Sequence, residues 1–441
     1  MEQYARFLAF RYNPRRTVHF HDVVGAQVLC LNPFSRPYAN LCHPKPNSQT
    51  VSENAQIFLI LRFILLFFIG IGLKSCNQTD TDSKYITVDV KNNYFLKKEI
   101  ALQDFMDVEY IPLETTDEFI TQGVVMAISD KYILTKNYVN DGYIYIFDRK
   151  TGKGIRKINR KGQGGEEYAF IVSAVLDEDN EEIFVNSSKK ILVYDLYGNF
   201  KRSFNTVGGA DYMDIFNYDK NNLICYDMTV YYRDGEEKDK EFYHSIISKK
   251  DGSVTRGISI PFKTVKAPFV RQGDVITATT VRALIPCQNN WLLVETSSDT
   301  VYSYRPDNNQ LNPFIVKQSS GEPEVLITMG PVTDRYYFFK IIEKKFDFSK
   351  GRGFPATDLM YDKEEDAFYK PVIVNADYIN KQEVNMTENV GNGDVATYQN
   401  LMADQLIEAY ADNKLKNPLK EIAAKLNEES NPVVMLVKYR E

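Results

Sequence analysis

Residues 144–152 read IYIFDRKTG, and residues 191–198 read ILVYDLYG. Both stretches consist of an apolar run that ends in an aspartate and leads into a glycine turn. Each stretch is followed by a segment that combines basic and apolar residues, IRKI after the first and NFKRSF after the second. The two aspartates, Asp148 and Asp195, are 47 positions apart. A β-hairpin that returns at such an interval predicts a fold built from equivalent β units.

The same unit returns more weakly three further times. These copies lie at 245–260, 300–316 and 358–374, and the strand-like runs VEYIPLE (108–114) and YILTKN (132–137) precede the first copy. A period of roughly 45–60 residues is typical of propeller blades, which bury their faces only against neighbouring blades. The copies and the N-terminal runs together predict an all-β fold, a six-bladed β-propeller. The repeat disfavours the competing fold, a pair of β-sandwiches.

The C-terminal region departs from the strand pattern. Residues 397–412 place apolar side chains at helical spacing, and Asn417-Pro418 predicts a second helix because proline is favoured at the first helical position. The chain then ends in the apolar run NPVVMLVKYRE. We therefore predict a short helical insertion at about 397–428, followed by a last strand at 433–439 that closes the ring with N-terminal strands.

An export signal lies well inside the chain. Residues 57–73 are apolar except for Arg62, and they lead into Leu73-Lys74-Ser75-Cys76. The length of the apolar core suits a signal peptide. A leucine three positions before a cysteine, with a small residue directly before it, resembles a bacterial lipobox, whose cysteine is lipidated and becomes the mature N-terminus. An apolar membrane anchor and a buried helix are the alternatives.

This signal sets the predicted domain boundaries. Residues 57–75 form the lipoprotein signal peptide, and residues 1–56 are a non-native upstream extension or a disordered tail. The alternative for 1–56 is a cytoplasmic tail on a membrane anchor. Residues 76–99 form a linker and the first strand, and the propeller occupies 100–441. We expect a lipoprotein of the bacterial outer membrane, held by its lipid and monomeric.

The composition argues against several classes of protein. The net charge is −6 and the sequence has no block of Lys or Arg, which is unsuited to binding nucleic acid. The five cysteines form no CxxC pair, so a zinc knuckle is not predicted. His244 is the one histidine after residue 43, and a nucleophilic triad needs such a base. His244 lies in a strand-like run, so we interpret it as structural.

With these features the chain resembles the six-bladed β-propeller lipoproteins of Bacteroides and its relatives, which are similar to NHL and TolB-like propellers. The resemblance rests on Cys76, VEYIPLET (108–115), IFD (146–148) with Gly152, GQGGEEY (162–168) and NPVVM (431–435). It covers about residues 76–441. It implies the fold and a location in the envelope. It implies no established activity, because propellers host binders, scaffolds and enzymes.

The loop NRKGQGGEEYAF, residues 159–170, looks at first like a phosphate cradle. A dinucleotide loop and a P-loop both lead into a helix, whereas this one leads into a strand-like run, and its two glutamates would repel phosphate. We interpret it as a connection between blades in which glycines permit positive φ. Four of its residues are our candidates for ligand contact at the central pore: Arg160, Lys161, Glu166 and Tyr168.

The remaining candidate chemistry is carboxylate. The run at 177–182 (DEDNEE) and the run at 363–366 (KEED) fall between strands, so we expect solvated turns there. Calcium at the pore would need ligands from several blades, which no local motif reveals. The leading hypothesis is a lipid-anchored, non-catalytic propeller that binds a glycan, a peptide or an envelope protein. The alternative is a calcium-dependent propeller hydrolase or lyase, and no catalytic residue or required cofactor is predicted.

Overall fold

The computed structural model describes residues 27–30, 85–91, 94–288, 290–318 and 321–440. All of them belong to one compact unit. The predicted signal peptide at 57–75 and the predicted lipidation site Cys76 lie outside the described residues.

Four strands precede the first complete blade. They are β1 (Gln27–Cys30), β2 (Ile86–Asp89), β3 (Leu96–Ala101) and β4 (Asp107–Pro112). The predicted propeller began at residue 100, but β2 and β3 already belong to it. Each adds a parallel strand to the outer edge of a later blade.

Blades 1 to 3 are antiparallel sheets of four consecutive strands each. Blade 1 contains β5 (Val124–Ile128), β6 (Tyr132–Lys136), β7 (Tyr143–Asp148) and β8 (Gly154–Asn159). Blade 2 contains β9 (Ser173–Asp177), β10 (Glu182–Asn186), β11 (Lys190–Asp195) and β12 (Phe200–Asn205). Blade 3 contains β13 (Tyr212–Asn217), β14 (Asn222–Asp227), β15 (His244–Ser248) and β16 (Val254–Ile258).

Blades 4 and 5 follow the same plan with additions. The connection to blade 4 carries the hairpin β17 (Phe269–Gln272) and β18 (Val275–Ala278), and β1 pairs with β18. Blade 4 contains β19 (Leu284–Cys287), β20 (Asn290–Leu293), β21 (Thr300–Arg305) and β22 (Gln310–Gln318), with β2 outside β22. Blade 5 contains β23 (Val325–Val332), β24 (Tyr336–Glu343), β27 (Ala356–Asp362) and β28 (Ala367–Asn375), with β3 outside β28. Three two-residue strands decorate blade 5, namely β25 (Phe346–Asp347), β26 (Arg352–Gly353) and β29 (Gln382–Glu383).

Blade 6 combines the two ends of the propeller. Its sheet contains β30 (Val395–Leu401), β31 (Val433–Lys438) and β4, in that order. β31 pairs with β4 from Val433–Pro112 to Lys438–Asp107, so the predicted closure of the ring by the last strand is confirmed. An irregular segment at 386–392 takes the innermost place, since Thr397 donates to Asn389 O at 2.7 Å and Gly391 N donates to Ala396 O at 3.1 Å.

The helical segment before the last strand is present but starts later than predicted. Its helices are α1 (Ala403–Ala411) and α2 (Leu419–Ala423). Residues 397–401, which we expected to be helical, belong instead to β30. The sequence VATYQNL is rich in β-branched and aromatic residues, and its pairing with β31 overrides the apparent helical spacing.

Hydrophobic clusters lie between blades. In the described residues, six clusters each combine residues of two neighbouring blades, one cluster for each seam of the ring. A seventh packs α1 and α2 on the start of β31. This arrangement explains why a single repeat cannot fold alone: the face of each blade is buried only by the next blade.

The alternating strand directions define two faces of the ring. The tight turns between first and second strands and between third and fourth strands form one face, which we call the turn face. The longer second-to-third loops and the blade-to-blade connections form the other, which we call the loop face. The first strand of each blade is innermost, so these strands surround a central channel.

Candidate functional site

The central channel contains a cavity that is partly open to solvent. Its volume is about 150 Å³, smaller than the roughly 300–1,000 Å³ usual for small-molecule sites. Its walls come from β5, β9 and β13, the inner strands of blades 1 to 3, together with residues 390–392 and Tyr398 of blade 6. Side chains from four blades therefore converge on one space.

Asp214 of β13 is the charged group in this wall. Its Oδ2 accepts hydrogen bonds from Ala283 N at 2.7 Å and Leu284 N at 3.3 Å, which fixes blade 3 against the start of blade 4. Burial raises the pKa of the Asp214 carboxyl, opposed by these two amides and by the nearby charge of Arg282. The structure records no hydrogen bond to Asp214 Oδ1 among the described residues, so this oxygen remains available to a ligand.

Arg282 lies next to Asp214 and connects blades across the loop-face end of the channel. Its backbone N donates to Thr328 Oγ1 of blade 5 at 3.4 Å, and its guanidinium donates to the carbonyl oxygens of Thr387 and Glu388. Thr387 and Glu388 belong to the innermost segment of blade 6. The geometry of this end of the channel is therefore fixed by four blades at once.

The rest of the cavity wall is neutral and mixed in polarity. Asn217 contributes a buried Oδ1 that has no hydrogen-bond partner among the described residues. Asn392, which belongs to blade 6, also lines the cavity. Met126, Met213 and Phe216 supply apolar surface between the polar groups. A buried amide oxygen without a partner is costly, and a ligand reaches this one only if neighbouring side chains of the wall move.

The glycine loop lies on the loop face between blades 1 and 2, and its residues are not part of the cavity wall. Gly162, Gly164 and Gly165 do not have positive φ, so our explanation of these glycines was wrong. A Cβ at Gly162 would lie 1.8 Å from Glu167 Oε2, so the carboxylate of Glu167 would have to move. The loop folds around this carboxylate, which accepts from Gly164 N at 2.8 Å.

The four predicted contact residues have different positions in this loop. Tyr168 is fully buried between blades 1 and 2, where its ring meets Tyr194 edge-on and its hydroxyl donates to Gly142 O at 2.7 Å. It packs the loop and has no surface for a ligand, contrary to our prediction. Arg160 donates to Gly198 O at 2.7 Å, and Lys161 donates to Asn140 O. The side chain of Glu166 is exposed. For these three, ligand contact stays a prediction.

Two of the predicted solvated carboxylates are buried instead. Asp177 has no exposed surface and pairs with Lys249 Nζ of blade 3 at 2.6 Å. Glu182 accepts both guanidinium nitrogens of Arg202, at 2.7 and 2.6 Å, and these bonds overcome burial and lower the pKa of Glu182. Both carboxylates form structural ion pairs at the turn face. The acidic composition of residues 177–182 gave no indication of this role.

His244 and the two described cysteines lie within the fold. His244 is buried, donates from Nε2 to Ala283 O at 3.2 Å and packs on Tyr226, with ring centroids 4.7 Å apart. Burial lowers the pKa of His244 to about 4. Cys225 and Cys287 are free thiols. Within the described ranges, no three His, Cys, Asp or Glu side chains converge as a metal site would require.

Sequence reasoning missed the cavity residues Met213, Asp214 and Asn217. The run MDIFN (213–217) stands four residues before the strand-like NLICY, as SAVLD (173–177) stands four residues before EIFV. Their position in the repeat could have identified them, because they lie in the first strand of a blade and the first strands line the channel.

Six blades of antiparallel strands, closed by pairing of the two chain ends around a channel, define a β-propeller. The family described as DUF5128, 6-bladed beta-propeller, matches residues 75–396. The chain belongs to this family. None of the curated proteins of known function matches it.

Solved structures to which the chain is similar include two proteins of Bacteroides species. A protein of Bacteroides fragilis described as exported is similar over 81% of this chain and 100% of its own, with 14% identity and a TM-score of 0.51. A member of the DUF4221 family from Bacteroides vulgatus covers 76% of this chain and 98% of its own, with 11% identity and a TM-score of 0.42. Among the described residues, no helix has the length and apolarity to cross a membrane.

Proposed function

We propose that the chain is a lipid-anchored propeller of the bacterial envelope that binds a small polyhydroxylated ligand, such as the terminal unit of a glycan, in its channel without converting it. The observation that carries this proposal is the channel cavity, whose lining includes Asp214, Asn217 and Asn392, with carboxylate and amide oxygens, among apolar side chains. Sugar hydroxyls donate to such oxygens, and the CH faces of a sugar ring pack on Met213 and Phe216. A peptide or an envelope protein would be the alternative ligand.

The envelope location rests on other support. The lipobox-like sequence before Cys76 supports lipidation, and the exported description of the Bacteroides fragilis protein fits this location. We expect Cys76→Ser to abolish incorporation of a fatty-acid analogue and to shift the protein from the membrane to the soluble fraction. Cys42→Ser is the matched control, because residue 42 would be removed with the signal peptide. Equal labelling of both variants would contradict the anchor.

Ligand binding is tested with the purified protein and a panel of neutral disaccharides, uronic-acid disaccharides and tripeptides, by thermal shift and then calorimetry. We expect a disaccharide to bind, and Met213→Trp, which fills the cavity, to abolish binding. Asn217→Ala should weaken it about fivefold through loss of one hydrogen bond. The matched controls are Met402→Trp and Asn221→Ala, both at exposed positions.

Three results would contradict this proposal. Binding of tripeptides alone would exclude the glycan as ligand class. Binding that Met213→Trp leaves unchanged would exclude the channel as the site. Breakdown of a bound disaccharide in the presence of Ca²⁺ would replace the binding protein by the hydrolase or lyase of the alternative hypothesis.

A further inference from the structure

The chain enters the propeller along its outer rim. β2 pairs in parallel with β22 of blade 4, and β3 pairs in parallel with β28 of blade 5, before the chain becomes β4 of blade 6. We call the described part of this segment, residues 85–91 and 94–101, the rim belt. Val88 and Val90 of the belt are buried at 0% and 5% exposure, which fixes it to blade 4.

The outward side of the rim belt has the composition of a membrane-interface segment. Tyr85 is 51% exposed, Tyr94 is 82% exposed and Leu96 is 63% exposed. Lys91 and Lys97 are exposed among them, as are Asp89 and Glu99. The carboxylate of Glu99 pairs with Lys381 Nζ at 2.6 Å. Tyrosine, leucine and lysine in one exposed segment suit the boundary between lipid headgroups and acyl chains, where rings insert and ammonium groups meet phosphate.

The length of the chain brings this segment close to the predicted anchor. Tyr85 is nine positions after Cys76, and a fully extended chain of that length spans about 30 Å at most. A lipid on Cys76 would therefore hold the rim belt near the leaflet at high effective concentration. Under those conditions even a weak interfacial contact is populated.

We propose that the rim belt is a membrane-contact surface that places the rim of blades 4 and 5 on the lipid headgroups. This proposal rests on the lipid anchor of the proposed function. With the rim on the membrane, the channel axis runs parallel to the leaflet. The loop face and the turn face then both remain open, so a ligand reaches the cavity without displacing lipid.

The test uses the full-length protein purified from a bacterial host that processes lipoproteins. The protein is reconstituted in vesicles of phosphatidylethanolamine and phosphatidylglycerol with brominated acyl chains, which quench nearby tryptophan. Tyr94→Trp reports on the rim belt. Tyr138→Trp on the loop face and Tyr197→Trp at the turn face are the controls, since these tyrosines are 70% and 66% exposed. Native Trp291, 7% exposed, is the background measured in the unsubstituted protein.

We expect brominated lipid to reduce the emission of the tryptophan at 94 by about twofold or more, as for an interfacial aromatic side chain, and to leave the two control positions unchanged. Leu96→Glu in the Tyr94→Trp background should restore most of the emission, whereas Val139→Glu should not. Quenching at 138 or 197 instead of 94 would overturn the proposal. The proposal would also be overturned if vesicle-bound protein molecules associate with each other and this association, without lipid contact, shields position 94 from aqueous iodide.

Mass spectrometry of the N-terminus separates the two possible failures. A lipidated Cys76 with an unquenched tryptophan at 94 overturns the rim contact and leaves the anchor intact. A chain without lipid and without quenching overturns both the anchor and the rim contact.

Discussion

Two seams of the ring contain the same kind of ion pair in different surroundings. In both, the residue just after the third strand of a blade reaches a carboxylate in the first-to-second-strand turn of the preceding blade. Lys249 of blade 3 pairs with Asp177 of blade 2 at 2.6 Å, and both side chains are buried. Arg149 of blade 1 pairs with Asp394 of blade 6 at 2.7 Å, and 42% of the Asp394 side chain remains exposed.

The difference follows from how the chain forms each seam. Blades 2 and 3 are continuous in sequence, and their seam encloses the pair completely. Blade 6 combines two distant parts of the chain, and its seam with blade 1 is strengthened by extra polar contacts. Asn431 provides the main one: it accepts from Thr121 N at 2.9 Å and donates to Glu114 O at 2.7 Å and Phe119 O at 2.6 Å. Both seams thus have inter-blade hydrogen bonds, such as Asn186 Nδ2 to Tyr212 O at 2.8 Å in the internal seam. They differ in their ion pair, which is buried in the internal seam and partly exposed in the closing seam.

The largest effect is expected from breaking the buried pair. Lys249→Met leaves the Asp177 carboxylate without its cation in a dry site, which costs roughly 3–5 kcal/mol of the free energy of unfolding. Urea denaturation measures the loss, and Lys250→Met, at the exposed neighbouring position, is the control. A loss below that of Arg149→Met would refute the contrast between the two seams.

Removing the amide of the closing seam should cost slightly less. Asn431→Ala leaves the buried Thr121 N and Phe119 O and the partly buried Glu114 O without their partner, for a loss of roughly 2–4 kcal/mol. The control is Asn221→Ala in an exposed turn. Hydrogen exchange should show that β4 and β31 open first in the variant. Uniform loss of protection across all six blades would mean that this residue has no special role in closure.

A third prediction concerns pH and the seam between blades 3 and 4, where His244 is buried. Its pKa in the folded protein is about 4, against about 6.5 when unfolded. Between these values the unfolded chain binds the proton that the native state excludes, so stability falls as the pH falls. From pH 7 to pH 5 the expected loss is about 2 kcal/mol. His244→Gln should flatten that part of the profile, measured by urea denaturation at each pH.

The smallest expected effect belongs to Arg149. Arg149→Met removes two charge-assisted bonds, but Asp394 is half exposed and also pairs with Lys438 at 3.3 Å. Water and Lys438 therefore compensate, and we expect a loss of roughly 1–2 kcal/mol. If Arg149 and Asn431 both act on ring closure, the double variant Arg149→Met, Asn431→Ala should lose more free energy of unfolding than the two single variants lose in sum. Strict additivity would show that they are independent.

The sequence revealed the blades because their hairpins are local. The turns at Asp148 and Asp195 are formed by residues close together in the sequence, so the repeated hairpin could be recognised from the sequence alone. Blade 6 was harder, since the strand character of 397–401 depends on pairing with β31. The inner segment at 386–392 has no strand pattern at all, because its place is set by β30 and not by its own residues.

The candidate site could be predicted only in outline. Asp214, Asn217 and Asn392 line one cavity only because the ring brings blades 3 and 6 together, and nothing near MDIFN in the sequence indicates that. The glycine loop, by contrast, attracted attention because its composition is unusual. Gly162 lies against the carboxylate of Glu167 and Tyr168 is a packing residue, so these two positions have a structural cause, whereas a Cβ at Gly165 would meet no neighbour.

The most direct test of binding in the channel is hydrogen–deuterium exchange of the purified protein with and without the disaccharide that gives the largest thermal shift. We predict that the disaccharide slows exchange in the inner strands at 125–128, 173–176 and 213–217 and leaves the loop at 138–142 unchanged. Protection confined to the loop face, with no change in these inner strands, would contradict the account.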